Sequence, residues 1–297
     1  VAMGLTYYHW GIHPWGIYAL VGLSLAFFAY NRGLPLTIRS VFHPILGDRI
    51  YGFWGNVIDV LSVMATLFGL ATSLGLGAQQ AASGINHVFG TEGGIGMQII
   101  VIIGVTALAV ISVVRGIEGG VKVLSNINMI IALVLFLFVT LFGLAIVLGT
   151  IPKTISAYLE NIIPLSNPHG REDEAWFQGW TVFYWAWWIS WSPFVGMFIA
   201  RVSRGRTIRE FLAAVLIIPT LVTILWMSVF GGLAIDQVMN KAGALGTEGL
   251  QSVPLAMFQM FELLPFSNIL SFVAIILVLV FFITSSDSGS LVIDSIT

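Results

Sequence analysis

The sequence predicts an all-α integral membrane protein with about seven spanning helices, and three observations support this fold class. Only 9% of the 297 residues are charged, against roughly 25% in a soluble domain. Seven apolar stretches are long enough to cross a bilayer, which takes about 20 helical residues. Basic residues collect in alternate loops, as they do on the cytoplasmic side of membrane proteins. The absence of cysteine excludes disulfides and cysteine-ligated metals.

The seven predicted spans follow one another along the chain. The first contains Pro14 in its first turn, which is a favoured position for proline. The second is longer than a bilayer requires, so we expect it to tilt or to extend into the interface. The approximate bounds of the spans are residues 13–30, 51–84, 96–114, 124–148, 176–202, 211–235, and 269 to beyond 284.

The orientation of the spans follows from the charges of the loops. Most of the 12 basic residues follow the first, third or fifth span: Arg32, Arg39, Arg49, Arg115, Lys122, Arg201, Arg204, Arg206 and Arg209. These loops are therefore predicted to be cytoplasmic, and the first and fifth helices to run inward. In the two long outer loops, residues 155–163 and 253–264 are apolar but too short to span. We interpret both as amphipathic helices on the outer surface.

The fifth span carries an unusual concentration of aromatic residues: Trp185, Trp187, Trp188 and Trp191, among ten tryptophans in the chain. One interpretation is a belt at the membrane interface, but Trp188 lies near the middle of its span. The other interpretations are helix packing and a cage in which tryptophan faces bind a quaternary ammonium group by cation–π attraction. Pro193 is expected to free a backbone carbonyl at this depth, which fits a cavity wall.

A second aromatic group lies at the start of the first span. Trp10 precedes the span, and Trp15 and Tyr18 are three residues apart on one helical face. An interfacial belt is the alternative to a binding role for these side chains. His9 and His13 have a spacing that can bind metal, but no third ligand is near them in the sequence.

Hydroxyl groups are concentrated in two of the spans. Thr284 and Ser285 lie near the end of the last span, and Thr66 lies within the second. Such oxygens suit a small cation such as sodium, although small residues also favour close helix packing. Asp287 adds an ionisable group, which is costly in a bilayer and therefore points to function. Asp59 fits either a functional role or a paired structural one.

These motifs together resemble the betaine/choline/carnitine transporter family over essentially the whole chain. The resemblance rests on residues 185–198, 9–15 and 283–288. It implies a twelve-helix secondary transporter built from two inverted five-helix repeats. The chain would be a single, incomplete transmembrane domain that corresponds to helices four to ten. Residues 1–150 would end the first repeat, residues 174–297 would begin the second, and the chain is expected to be an internal fragment.

The resemblance also implies roles for individual residues. The substrate box would use Trp10, Trp15, Tyr18 and Trp188, with Trp191 as a further wall. Phe194 and Phe198 would line the cytoplasmic pathway. One sodium site would use Thr284, Ser285 and the backbone of Phe281. A second would use Thr66 and a threonine one turn later. Leu70 stands at that later position and has no oxygen to offer.

The function implied is sodium-driven import of a quaternary-ammonium osmolyte, with glycine betaine as the first candidate. We expect a multi-pass protein of the plasma (inner) membrane that forms a homotrimer and contacts lipid. It would be no enzyme and would need no cofactor besides the coupling ion, because no nucleophile–base pair or nucleotide loop is evident. No basic face suits nucleic acid. The alternatives are a proton-coupled choline or ectoine carrier, a non-transporting sensor, and a purely structural aromatic core.

Overall fold

The computed structural model describes residues 2–114 and 122–296. These residues form helices and no β-strand, and six of the helices are long and apolar enough to cross a membrane. The prediction of an all-α integral membrane protein is therefore confirmed. The six candidate spans are Ala2–Asn31, Phe53–Phe89, Ile95–Val114, Lys122–Ser166, Ile208–Met239 and Ser267–Ser290. Arg115, one of the predicted cytoplasmic residues, lies outside the described residues.

The helices follow the predicted order, with additional short ones in the loops. They are α1 (Ala2–Trp10), α2 (Ile12–Ala26), α3 (Ile38–Val41), α4 (His43–Leu46), α5 (Phe53–Phe89), α6 (Ile95–Val114), α7 (Lys122–Ser166), α8 (Glu174–Trp176), α9 (Phe183–Val202), α10 (Ile208–Met239), α11 (Gly243–Thr247), α12 (Ala256–Phe261) and α13 (Ser267–Ile296). Short 3₁₀ turns cover Gly47–Tyr51 and Val253–Leu255, and the segments Phe27–Asn31 and Phe177–Val182 are π-helical.

The predicted tryptophan span is the helix α9. Its 20 residues suffice to cross a bilayer, but α9 is not one of the six helices that qualify by apolar composition. The reason is its content of indole and hydroxyl side chains, which carry polar groups among the aliphatic ones. Composition alone therefore identifies six spans, and the pattern of basic loops is needed to recognise the seventh.

Gly11 interrupts the candidate span Ala2–Asn31. The helix α2 begins at Ile12 with Pro14 in its first turn, as predicted, but an unpredicted helix α1 precedes it. The backbone nitrogen of Gly11 donates to the carbonyl of Tyr7 at 2.7 Å. A Cβ atom at Gly11 would lie 2.5 Å from that same oxygen, so only glycine fits this break.

The two predicted surface helices of the outer loops are wrong. Residues 155–163 continue α7 without interruption, and Tyr158 within them is buried and packs edge-to-face on Tyr7 at 6.0 Å. Residues 253–264 form a 3₁₀ turn and the short helix α12, in which Phe258 and Phe261 are fully buried. Only part of each stretch is buried, since Leu159, Ile163, Val253 and Leu263 are exposed. The buried aromatic side chains hold both stretches in the protein core, and this is why neither is an independent amphipathic helix.

The chain divides into two compact units. One comprises Val1–Leu70, Ile155–Ile224 and Gly289–Thr297, and the other Ala71–Thr154 and Leu225–Ser288. The core of the first unit contains Tyr18, Ile199, Phe211, Leu25, Met197 and Ala200. The larger core of the second unit contains Val139, Val229, Leu233, Phe258, Phe261 and Ala274. The predicted boundary between inverted repeats stays a prediction.

The helices α2 and α9 approach each other closely in the first unit. A Cβ atom on Gly22 would lie 3.3 Å from the carbonyl oxygen of Gly196, and one on Gly196 would lie 3.3 Å from the backbone nitrogen of Gly22. Small residues at a helix crossing permit such backbone contact, which is typical of packing in membranes. This crossing sets the distance between the two helices that carry most of the predicted substrate box.

Asp59 is paired, as one of its two sequence interpretations predicts. The Nε of Arg39 in α3 donates to Oδ2 of Asp59 in α5 at 2.5 Å, and only 5% of the Asp59 surface is exposed. The guanidinium also donates to the carbonyl of Ile50 at 3.4 Å. This ion pair fixes the loop between α2 and α5 to the start of α5, so the role of Asp59 is structural.

Candidate functional site

The end of α1 is tied to α9 and α10 through backbone carbonyls. The last carbonyls of a helix have no partner within it, and the break at Gly11 leaves those of His9 and Trp10 in this position. The indole nitrogen of Trp188 donates to the carbonyl of His9 at 2.8 Å, and the Thr223 hydroxyl donates to that of Trp10 at 3.1 Å. The helix break thus determines where the Trp188 ring lies.

The four residues of the predicted substrate box are brought together in the first unit, and we call them the four-ring cluster: Trp10, Trp15, Tyr18 and Trp188. Their rings form a continuous chain of edge-to-face contacts. The centroid distances are 4.7 Å for Trp10 and Trp188, 6.0 Å for Trp188 and Tyr18, and 5.5 Å for Tyr18 and Trp15. Such T-shaped pairs are the favoured geometry of aromatic side chains.

The electrostatics of this cluster suit a cation without hydrogen-bond donors. Ring faces attract such a cation within about 6 Å of the centroid, most strongly for tryptophan. Tyr18 is buried, whereas the other three rings are partly exposed. Because Trp10 and Trp188 are in van der Waals contact, a trimethylammonium group can lie between these two rings only after one of them moves.

Three further residues were predicted to form a wall of the box or to line the cytoplasmic pathway, and they differ in packing and exposure: Trp191, Phe194 and Phe198. Trp191 packs against the core that contains Tyr18, and its ring lies 5.2 Å from that of Phe194. The indole nitrogen of Trp191 is buried and has no hydrogen-bond acceptor among the described residues. Phe194 packs against the Leu25–Met197 core. Phe198 is 58% exposed, and its role in the pathway stays a prediction.

The carbonyl that Pro193 releases is not free, which corrects the sequence-based expectation. Proline lacks the N–H that would bond to the carbonyl four residues earlier, here that of Ile189. The hydroxyl of Ser192 donates to this oxygen at 2.8 Å. Ser190 similarly donates to the carbonyl of Trp187 at 2.7 Å. The helix therefore continues through Pro193, and the carbonyls of Trp187 and Ile189 both accept hydrogen bonds. Pro193 does not provide a free carbonyl as a ligand.

Three residues that support the cluster are not evident from the sequence. The imidazole of His9 stacks on Tyr184 at 4.7 Å, and its Nε2 lies 3.0 Å from the hydroxyl of Thr181. Tyr184 is one turn before Trp188, and their rings stack at 6.3 Å. The spacing of Tyr184 and Trp188 is the one signal that could have identified this support. His9 thus acts through stacking and a hydrogen bond in this structure.

The loop before α9, which is predicted to face outward, contains a surface ion pair. Arg171 donates to both carboxylate oxygens of Asp173, at 2.8 and 2.7 Å, and its guanidinium lies 4.7 Å from the ring centroid of Phe177. The hydrogen bonds from Arg171 lower the pKa of the exposed Asp173 carboxyl. The pair lies next to the π-helical turn Phe177–Val182, which contains the buried Thr181.

The predicted sodium ligands lie on two helices. In α13, the hydroxyl of Thr284 donates to the carbonyl of Phe281 at 3.0 Å, so two of the three predicted oxygens are neighbours, and Ser285 follows in the same turn. In α5, the buried Thr66 donates to the carbonyl of Ser62 at 2.9 Å. Leu70 is 8% exposed, and its side chain packs where a Cβ atom of Gly289 would lie.

Comparisons with known proteins give a consistent result. A family model described as the betaine/carnitine/choline family transporter matches residues 1–297. Glycine betaine transporter 1 of Vibrio parahaemolyticus is 73% identical over 297 residues, and a glycine betaine/proline/choline/ectoine transporter of that organism is 66% identical. A glycine betaine transporter of Bacillus subtilis is 45% identical over 98% of the chain. The chain spans 57%, 53% and 57% of these relatives.

Proposed function

Because the chain belongs to the betaine/carnitine/choline transporter family, we propose that the intact protein is a secondary active transporter. It imports a quaternary-ammonium compatible solute, with glycine betaine as the first substrate, by alternating access. Sodium is the coupling ion, and the proposal includes no enzymatic step. The names of the three relatives described above all contain glycine betaine, which supports this choice of substrate.

The observation that carries the proposal is the four-ring cluster around Trp188. A trimethylammonium group has a positive charge but no hydrogen to donate, so a polar site could not select it over water. Aromatic faces can do so, because their quadrupole attracts the charge while their surface remains apolar. The hydrogen bond from Trp188 to His9 holds the central ring in place, which reduces the ordering cost of binding.

The proposal of sodium coupling is supported by the oxygens of α13. The carbonyl of Phe281 and the hydroxyls of Thr284 and Ser285 are hard ligands within one helical turn, and sodium is cargo rather than a resident cofactor. At the second proposed site, Thr66 supplies a buried hydroxyl but Leu70 supplies none. The protein would therefore carry sodium at one site, with Thr66 as a partial second.

Uptake in proteoliposomes tests this function directly. The intact transporter should accumulate radiolabelled glycine betaine when an inward sodium gradient is imposed, and potassium in place of sodium should abolish accumulation. Choline and ectoine, each labelled, should be measured in parallel against empty liposomes. Binding without accumulation would instead identify a sensor, and uptake driven by a proton gradient alone would contradict sodium coupling.

A wider substrate range is the second candidate. One relative, 66% identical, is named for proline, choline and ectoine as well as glycine betaine. The four-ring cluster binds the ammonium end, which glycine betaine and choline share, and so does not separate these two solutes. Competition of unlabelled choline and ectoine with labelled glycine betaine would distinguish a broad carrier from a selective one.

A further inference from the structure

Asp287 is a buried carboxylate without a partner. It lies in α13, none of its surface is exposed, and neither carboxylate oxygen accepts a hydrogen bond from the described residues. Its neighbour Ser112 in α6 is 3% exposed, and the Ser112 hydroxyl also makes no hydrogen bond of acceptable geometry within that part of the chain. Two adjacent buried polar groups are thus left without partners.

The position of Asp287 follows from the packing of α13 on α6. Ile283 of α13 and Ala109 of α6 belong to one buried core in the second unit. Asp287 is four residues after Ile283, and Ser112 is three residues after Ala109, so each lies one turn further along the same face. Both helices are predicted to run inward, which places this pair toward the cytoplasmic end of the packed face.

A buried carboxylate that stays ionised requires an opposite charge close by. An isolated carboxylate is far more costly to transfer from water than any neutral side chain, and buried carboxylates are accordingly paired, bound to a cation or protonated. Both carboxylate oxygens of Asp287 lack a hydrogen-bond partner among the described residues, and the ion pairs found there involve Asp59, Asp173 and Glu262 instead. The neighbouring protein therefore provides no counter-charge within residues 2–114 and 122–296.

We propose that Asp287 is the counter-charge of the sodium ion carried at Phe281, Thr284 and Ser285. This inference rests on the function proposed above. At about 100° per residue, Asp287 lies between the directions of Ile283 and Thr284 around α13 and one turn from Thr284, whereas Ser285 lies about 160° away on the far side of the helix. The predicted ligands of that turn are all neutral oxygens. Asp287 acts on the ion through its field, as a positioning residue rather than a direct ligand.

The field of Asp287 has a specific consequence for transport. A negative charge one turn away favours the bound cation but has no direct contact with the organic substrate. Removing the charge should therefore weaken sodium binding and leave substrate binding at saturating sodium unchanged. A purely structural role would instead lower stability and reduce both affinities, or the amount of folded transporter.

The experiment measures the sodium concentration for half-maximal glycine betaine uptake by the intact transporter in proteoliposomes. Asp287→Asn should raise this concentration by about tenfold or more, while the KM for glycine betaine at saturating sodium stays within about twofold. Glu160→Gln removes an exposed carboxylate elsewhere and is the matched control, which should leave both values unchanged. An equal sodium requirement in Asp287→Asn and wild type would overturn the inference.

A second variant and a second readout keep the test decisive if Asp287→Asn does not fold. Asp287→Glu keeps the charge and moves it by only one methylene, so it should retain the sodium requirement of the wild type. A sodium requirement raised as far in Asp287→Glu as in Asp287→Asn would contradict the proposal. Sodium should also raise the Tm of the wild-type protein, because it binds the native state, and this increase should be smaller in Asp287→Asn than in Asp287→Glu.

The outcomes separate this inference from the proposed function. Uptake by wild type that does not depend on sodium would contradict the proposed coupling itself. Sodium-dependent wild type with an unaffected Asp287→Asn would contradict only the role of Asp287. Arg115→Gln tests whether a basic residue outside the described ones balances the charge. If it matches the defect of Asp287→Asn and the double variant regains wild-type sodium dependence, an ion pair replaces our proposal.

Discussion

Trp188 is the residue on which the ammonium end of the substrate is expected to depend. Trp188→Leu should weaken glycine betaine binding by about 0.5–2 kcal/mol, or roughly 2- to 30-fold in Kd, because it removes the central face of the four-ring cluster. Trp185→Leu is the matched control, since Trp185 contacts Tyr8 and His13 rather than the cluster. Binding of labelled substrate to the purified transporter measures both, and equal losses would contradict the cage.

The effects of substituting Ser192 and Pro193 on the free energy of unfolding should be coupled, because the Ser192 hydroxyl replaces the N–H donor that Pro193 lacks. Ser192→Ala leaves the carbonyl of Ile189 without a hydrogen-bond donor and should destabilise the protein by about 0.5–1.5 kcal/mol. In the double variant with Pro193→Ala, the restored N–H can donate to this carbonyl, so the double variant should be more stable than Ser192→Ala alone. Thermal unfolding in detergent measures this difference, and strictly additive effects would refute the coupling.

The contact of α2 with α9 is the element on which the site geometry depends. Gly196→Ala places a Cβ atom 2.6 Å from Cγ1 of Val21 and should separate the helices or force a rotamer change, at a cost of about 1–3 kcal/mol. We expect a lower Tm together with weaker glycine betaine binding. Gly104→Ala in α6 is the control, since no described atom lies within 4 Å of its Cβ position.

The secondary structure could be predicted from sequence where the apolar pattern is long, and less well at the helix ends. Seven apolar segments predicted seven helices, and all are present. Residues 155–163 were misassigned because an apolar stretch after a span gives no sign of whether the helix continues. Residues 253–264 were misassigned because burial of Phe258 and Phe261 depends on distant partners that a local pattern does not contain.

The candidate binding residues could be predicted better than the interactions that hold them. The four rings were identified by their resemblance to a known motif, and they lie in contact. The acceptor for Trp188, the carbonyl of His9, could not be identified, because it is available only through the break at Gly11. The partner of the Ile189 carbonyl was missed although Ser192 is adjacent to Pro193, because a hydroxyl can point to several acceptors.

The whole molecule has a predicted orientation that can be measured. The chain has no cysteine, so single cysteines introduced into an intact transporter without its other cysteines report their side of the membrane. His169→Cys, in the loop before α8, should react with a membrane-impermeant maleimide applied outside intact cells. Asp48→Cys, in the loop between α4 and α5, should react only after permeabilisation. Both residues are exposed, so a reversed pattern would contradict the orientation inferred from the basic loops.

The close crossing at Gly22 and Gly196 has a kinematic consequence. The backbones of the two helices are close at this crossing, and the Val21 side chain packs against Gly196, so independent sliding or rotation of either helix would produce a clash. We therefore expect the aromatic residues of both helices to move together as a rigid body during the proposed transport cycle. These residues are Trp15 and Tyr18 on α2 and Trp188 on α9. The substrate would be carried on an intact aromatic surface, and its release would come from the opening of other elements rather than from the disassembly of the rings.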